Sequence, residues 1–180
     1  MKPIPTNPDV IVDFITGESV PNAGAEANRQ QVERYLVEQK GYRRQDLLVD
    51  APIQVEIDGQ VYRSTVDLVI GINDRPLIAV KCAAGSLGSR EREIVSAARL
   101  FRASPLPLAV VSDGSSATVL DVLTGKKKGE GLSAIPDRAE AVDLARAQEL
   151  PPISPDRLTR EKLVFRTYDS MNVNVGNRRD

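Results

Sequence analysis

Histidine and tryptophan are absent from the 180 residues, cysteine occurs once, and the aromatic residues are three Phe and four Tyr. Without imidazole, the usual general base near neutral pH, a Ser-His-Asp triad, a Cys-His pair and a His-ligated zinc site are excluded. A single cysteine, Cys82, closes no intramolecular disulfide and builds no thiolate metal site, so a reducing, cytoplasmic home is expected. So few aromatics give little basis for a stacking platform on single-stranded nucleic acid, and nothing visible supports sequence-specific base readout. Long apolar runs are also missing, and the Met1–Pro5 start leads to Asp9 and Asp13 and not to an apolar h-region. Secretion and membrane insertion are therefore not expected. The net charge of −1 shows no excess of either sign. It averages two unequal stretches, however: residues 1–80 carry 8 basic and 12 acidic side chains, and 81–180 carry 16 and 13. Ordinary surface scatter explains this split, and so does a positive second half that meets nucleic acid.

The length suits one core. The pattern divides into an N-terminal arm over 1–24, a globular domain over 25–150 and a partly ordered C-terminal helix and tail over 151–180. In the arm, the apolar run Val10–Ile15 is expected to dock. Val32, Tyr35, Leu36 and Gln39 at helical spacing predict a helix from Ala25 to about Lys40, stopped by Gly41. Leu47–Val49 and Ile53–Ile57 read as strands, and Asp58-Gly59 as a two-residue hairpin turn leading into a return strand over Val61–Ile70. A turn over Gly71–Pro76 and a strand over Leu77–Cys82 complete a meander. A small-residue segment, Ala83–Ser89, leads into a second helix with Ile94, Ala97, Ala98 and Phe101 on its inner face. Leu106–Val111 and Ala117–Asp121 read as strands, Thr124–Lys126 as a turn, Arg138–Glu149 and Arg157–Phe165 as helices, and the Asn/Gly/Arg-rich end as loosely ordered.

Lys81 lies inside an otherwise apolar strand, where an unpaired ammonium is costly to bury. The preceding strand holds one acid, Asp67, also among apolar neighbours. If the intervening turn is centred on Asp74, residue i faces 148−i, which sets Asp67 opposite Lys81, whereas a slip of one residue separates them onto opposite faces. One reading is a structural ion pair. The other is a phosphodiester-cleaving site in which a carboxylate binds a divalent metal and the lysine acts on water or on phosphorane charge, a chemistry that needs no histidine.

The chain resembles the PD-(D/E)-x-K nuclease superfamily, and more closely the N-terminal domain of type I restriction enzyme R subunits and their stand-alone relatives. The resemblance is carried by Asp13–Gly17, by Glu26-x-x-Arg29-Gln30 through Leu36–Glu38 and Gly41-Tyr42, by Arg63-x-x-x-Asp67–Val69, by Ala79–Cys82, and by Asp113-Gly114 with Val119–Asp121 and Thr124–Lys126. It implies an α/β, restriction-endonuclease-like fold with a mixed central sheet flanked by helices. It further implies a DNA endonuclease using Mg²⁺ or Mn²⁺, with Asp67, Glu26 and the Val80 carbonyl as metal ligands and Lys81 as the electrostatic and water-activating group. Asp67, Lys81 and Glu26 are then the catalytic candidates.

Two departures bear on function. Ala79 stands where the motif has an acid, and Glu93 and Ala97 stand where many relatives carry a Gln-x-x-x-Tyr. Glu91 or Glu93 is an alternative source of the missing carboxylate. Arg29 and Gln30 resemble positions lining the site, and Arg90 and Arg92 lie beside it, so these four are the candidates for contact with DNA; an exposed helical face is their simpler use. Gly85–Ser89 reads either as a phosphate cradle or as a loop whose Ser89 caps the second helix. Lys126–Lys128 fits a solvated turn, and Cys82 a buried thiol on the face opposite Lys81. Competing with the enzyme is an inactive nuclease fold that binds DNA or a protein partner, such as a restriction-modification or repair component. A homodimer built through Arg157–Tyr168 is a third reading.

Overall fold

The computed structural model describes residues 9–176, with side chains through 171, so the expectations for the Met1–Pro5 start and for the tail beyond Gly176 lie outside the described residues. β1 (Val10–Val12) and β2 (Ser19–Pro21) form a small antiparallel hairpin ahead of α1 (Glu26–Glu38). A six-stranded mixed sheet follows, in the order β3 (Leu47–Ile57), β4 (Gln60–Ile72), β5 (Arg75–Cys82), β6 (Leu108–Ser112), β7 (Ala117–Asp121) and β8 (Lys127–Glu130). Only β5 and β6 run parallel, joined by a crossover through α2 (Glu91–Leu100). α3 (Arg138–Arg146) and α4 (Pro155–Gly176) complete the chain. This is the α/β architecture with helices flanking a mixed sheet. One layer buries Val32, Leu36, Leu68, Val80 and Val110 under α1 and α3, and the other buries Val69, Ala79, Ile94, Ala98 and Phe165 under α2 and α4.

The two tight hairpins follow from residues that tolerate positive φ. Asp58-Gly59 and Asn73-Asp74 each have both φ values positive, and the flanking pairs Ile57 with Gln60 and Ile72 with Arg75 close two-residue loops. The second turn is centred between Asn73 and Asp74, half a residue short of the expected centre, so the pairing sum is one residue short. A bulge at Ile70/Gly71 then adds the missing residue, so that Ile70, Val69 and Leu68 face Ile78, Ala79 and Val80. Gly71 has no room for a side chain there, because a Cβ would lie 2.8 Å from the Arg75 carbonyl oxygen.

The two strands expected over 47–57 are one, bent at Asp50, whose φ of 48° is left-handed. Leu47 and Val49 pack into the α1 layer, whereas Ala51, Ile53, Val55 and Ile57 pack into the α2/α4 layer. The outer half of the hairpin thereby turns its apolar face toward α4.

Several sequence expectations change. Lys127 and Lys128 lie in β8, an edge strand too polar to be recognised by alternation. Ser89 does not cap α2; its hydroxyl donates to the Ser86 carbonyl, and a short 3-10 turn over Gly88–Arg90 leads into the helix. The helix expected over Arg157–Phe165 runs from Pro155 to Gly176 and packs on α2 and β3 of its own chain. Among the described residues, no helix is long and apolar enough to cross a membrane.

Candidate active site

A cavity of about 300 Å³ opens at the C-terminal end of β5, between the N-termini of α1 and α2. Its lining includes Glu26, Arg29, Asp50, Asp67, Lys81 and Arg90. The ladder brings Leu68 against Val80, so one step further Asp67 stands opposite Lys81, as the hairpin arithmetic expected. The Lys81 Nζ lies 3.5 Å from Asp67 Oδ1 and 3.2 Å from Glu93 Oε1, and the Cys82 N–H donates to Asp67 Oδ2 at 2.7 Å. Glu93 reaches the lysine from the first turn of α2 and is itself buried.

Two carboxylates thus share one ammonium. Burial and the neighbouring Glu93 charge raise the Asp67 carboxyl above its ordinary range, against the opposing pull of Lys81 and the Cys82 N–H. Burial alone would lower the lysine, but Asp67 and Glu93 outweigh it, and its pKa is raised. Lys81 therefore remains a cation at neutral pH. Cys82 points into the opposite, α1 layer, where burial raises its thiol pKa and keeps it an inert core group.

The second wall is built around Arg29. Its guanidinium, 5% exposed, faces Asp13 at 3.1 Å, Glu26 at 2.6 Å, Asp50 at 3.3 Å and Glu33 at 3.8 Å. Arg29 stays firmly charged, since Glu26, Asp50 and Glu33 outweigh the effect of burial. Glu33 is fully buried, and neither carboxylate oxygen has a hydrogen-bond partner among the described residues. Burial, together with the Asp13 charge, pushes its pKa up to about 7. Gln30 is also inside: its amide oxygen accepts from the Phe14 N–H, and its nitrogen donates to Asp13 and Glu26.

The expected site residues therefore divide. Asp67, Lys81, Glu26, Arg29 and Arg90 are brought to one cavity. Val80 is buried in β5 between Leu68 and Val110 and is not part of the cavity lining. Arg29 and Gln30, expected to meet DNA, are turned inward onto carboxylates, which corrects their placement on an exposed helical face. Arg90 stays at the rim, 3.5 Å from Glu93 Oε2, while Arg92 is exposed and lines a separate cavity with Glu91 and Arg99.

Asp50 escaped the sequence reading although a signal for it existed. Counting back from the Asp58-Gly59 turn pairs residue i with 117−i, and this sets Asp50 beside Asp67. Asp13 had a weaker signal, an acid followed by turn residues, whose Oδ1 accepts the N–H groups of Ile15 and Thr16.

A hard divalent ion takes oxygen ligands and is commonly held by one or two carboxylates with water. Among the described residues, no three Asp, Glu or Cys side chains converge into a ready metal cage. Asp67 and Glu93 flank one ammonium, however, and Glu26 and Asp50 share the cavity with Asp67. These carboxylates are oxygen donors of the kind a hard divalent ion takes, spread around the cavity and not gathered into one group.

Residues 24–136 match the family described as type I restriction enzyme R protein N terminus (HSDR_N). The match covers more than half of the chain, which therefore belongs to that family. No curated protein and no solved structure gives a significant match.

Proposed function

We propose that this member of the type I restriction R-protein N-terminal family is a DNA endonuclease domain that hydrolyses phosphodiesters with Mg²⁺ or Mn²⁺. The observation that carries the reading is the Lys81 ammonium held between Asp67 and Glu93 at the rim of an open, acid-lined cavity. Asp67 and Glu26 are the metal ligands in this reading, with Glu93 supplying the carboxylate that position 79 lacks. A bound divalent ion contributes Lewis acidity toward phosphodiester oxygens. Lys81, already charged, donates hydrogen bonds to a phosphate oxygen or to the attacking water and offsets the charge that develops. Arg90 at the rim and Arg92 beyond it hold the DNA backbone by charge. A cytoplasmic protein working with a restriction-modification or repair partner, or as a homodimer, belongs to the same proposal.

The test is nicking of supercoiled plasmid in Mn²⁺. Lys81→Ala is expected to reduce the rate by about 100-fold or more while the fold is retained. Activity that survives this change rejects the assignment.

A second reading rests on Ala79 and on the lack of three converging ligands among the described residues. In it, the fold keeps its scaffold without hydrolysis and binds DNA or a protein partner. Retarded migration of DNA by a protein that never nicks it would favour this alternative.

A further inference from the structure

The outer side of α1 carries a pair of cations that the cavity does not use. Arg34 of α1 and Arg44, which opens a 3-10 turn over Arg44–Asp46, are both exposed, and both sit over the ring of Phe14, their Cζ atoms 4.5 and 4.1 Å from its centroid. An aromatic ring attracts such cations through its quadrupole but neutralises neither. Among the described residues, neither guanidinium forms an ion pair, although Glu38 stands one turn beyond Arg34. Arg44 donates one hydrogen bond, to the Ile15 carbonyl at 3.5 Å, and Arg34 donates none to the described residues. Two charges are thus gathered on one ring with nearly all of their donors unspent.

The ring itself is fixed to the framework of the cavity. The Phe14 N–H donates to the Gln30 amide oxygen at 2.6 Å, and Gln30 donates in turn, at 2.8 Å, to Glu26 of the cavity lining. Asp13, one residue earlier, accepts the Ile15 and Thr16 N–H groups and pairs with Arg29. The cation pair therefore stands on the α1 flank of the cavity, whereas Arg90 and Arg92 stand on the α2 flank. Arg29 and Gln30 turn inward, and Arg34 and Arg44 offer on the surface the charge expected of them.

We propose that Arg34 and Arg44, gathered on Phe14, clamp a phosphate of the DNA backbone on the α1 flank of the cavity. The identity of the partner rests on the nuclease reading above. A guanidinium fork matches phosphate oxygens, and two of them on one rigid ring meet a phosphate without first being ordered. A duplex held by Arg90 on one flank and by the clamp on the other crosses the cavity and presents its backbone to Lys81.

Anisotropy of a short fluorescent DNA duplex, titrated with the full chain in Ca²⁺ over a range of salt, tests this. Each phosphate contact contributes about 0.9 to the slope of log affinity against log salt, so the double variant Arg34→Gln, Arg44→Gln is expected to lower the slope by about 1–2 and the affinity by about tenfold or more. Phe14→Leu keeps both charges and an apolar side chain but no ring, and should weaken binding about threefold. Arg146→Gln removes an exposed charge beside the turn between β4 and β5, at the other end of the sheet, and should leave slope and affinity unchanged. An unchanged slope in a folded double variant, full affinity in Phe14→Leu, an equal loss in Arg146→Gln, or a wild type that leaves the duplex unbound overturns the proposal. In the last case, binding of polyglutamate that the double variant loses would assign the clamp to an acidic protein instead. A clamp that responds as expected in a protein that never nicks DNA in Mn²⁺ rejects the nuclease reading alone. Nicking by wild type together with unchanged DNA affinity in the double variant rejects the clamp alone.

Discussion

Arg29 and Lys81 stand on opposite walls of one cavity, each outnumbered by carboxylates, yet they are held differently. Arg29 spreads its fork over four acids, and its Nε and Nη2 both donate to Glu26 Oε1, at 3.0 and 2.6 Å. Lys81 meets two acids at 3.2 and 3.5 Å, near the outer limit of a hydrogen bond. A planar guanidinium with fixed donors suits a permanent joint, and here it ties α1 to the Asp13 turn and to the bend at Asp50. An ammonium on a flexible stem can exchange one oxygen partner for another, such as a phosphate. Arg29 therefore reads as a scaffold cation and Lys81 as the working one.

The sharpest way to break this contrast is to remove each cation in turn. Arg29→Met leaves buried carboxylates without compensation and is expected to cost about 3–5 kcal/mol in urea unfolding. Lys81→Met should cost less, about 1–2 kcal/mol, because the Asp67 side chain, 23% exposed, can regain water and Arg90 still faces the buried Glu93. Equal losses would erase the distinction between scaffold and working cation.

Next in size is Glu33. Its folded pKa of about 7 lies above the ordinary 4.5, so between these values the native state keeps a proton that the unfolded state releases. Its contribution to stability therefore falls as pH rises through that window and is flat above it. Glu33→Gln should stabilise the protein by roughly 2–3 kcal/mol at about pH 8, with the gain vanishing near pH 4. A gain independent of pH in thermal melts would show that Glu33 is not the strained group of the Arg29 wall.

The smallest effect is expected at Asp50, whose side chain is 61% exposed. Asn accepts the same left-handed backbone, so Asp50→Asn removes charge alone and should change stability by no more than about 1 kcal/mol. A larger loss in urea unfolding would make Asp50 a full member of the Arg29 joint.

How much of this was legible in the sequence depended on how far each feature reached along the chain. The Asp67 and Lys81 pairing could be counted from one turn, and the bulge at Gly71 restored the expected register although the turn lay half a residue away. Glu93 was visible only as one of two alternative acids, because helical spacing does not say which side chain turns toward a strand. Arg29 was misplaced for a related reason: Glu26 and Glu33 at i−3 and i+4 imitate exposed helix pairs, and only tertiary packing buries them. β8 carries too little apolar alternation to be seen, and the link from Asp169 to Tyr62 spans 107 residues with no local signal.

Thermal melting of the full chain with and without Mn²⁺ tests the central claim, that cation binding depends on Asp67 beside Lys81 and not on the buried Glu33 beside Arg29. A ligand at about 100 times its Kd should raise the wild-type melting temperature by about 5–10 °C. The account predicts that this rise persists in Glu33→Gln and disappears in Asp67→Asn. A wild type indifferent to Mn²⁺, or an equal rise in Asp67→Asn, would contradict it.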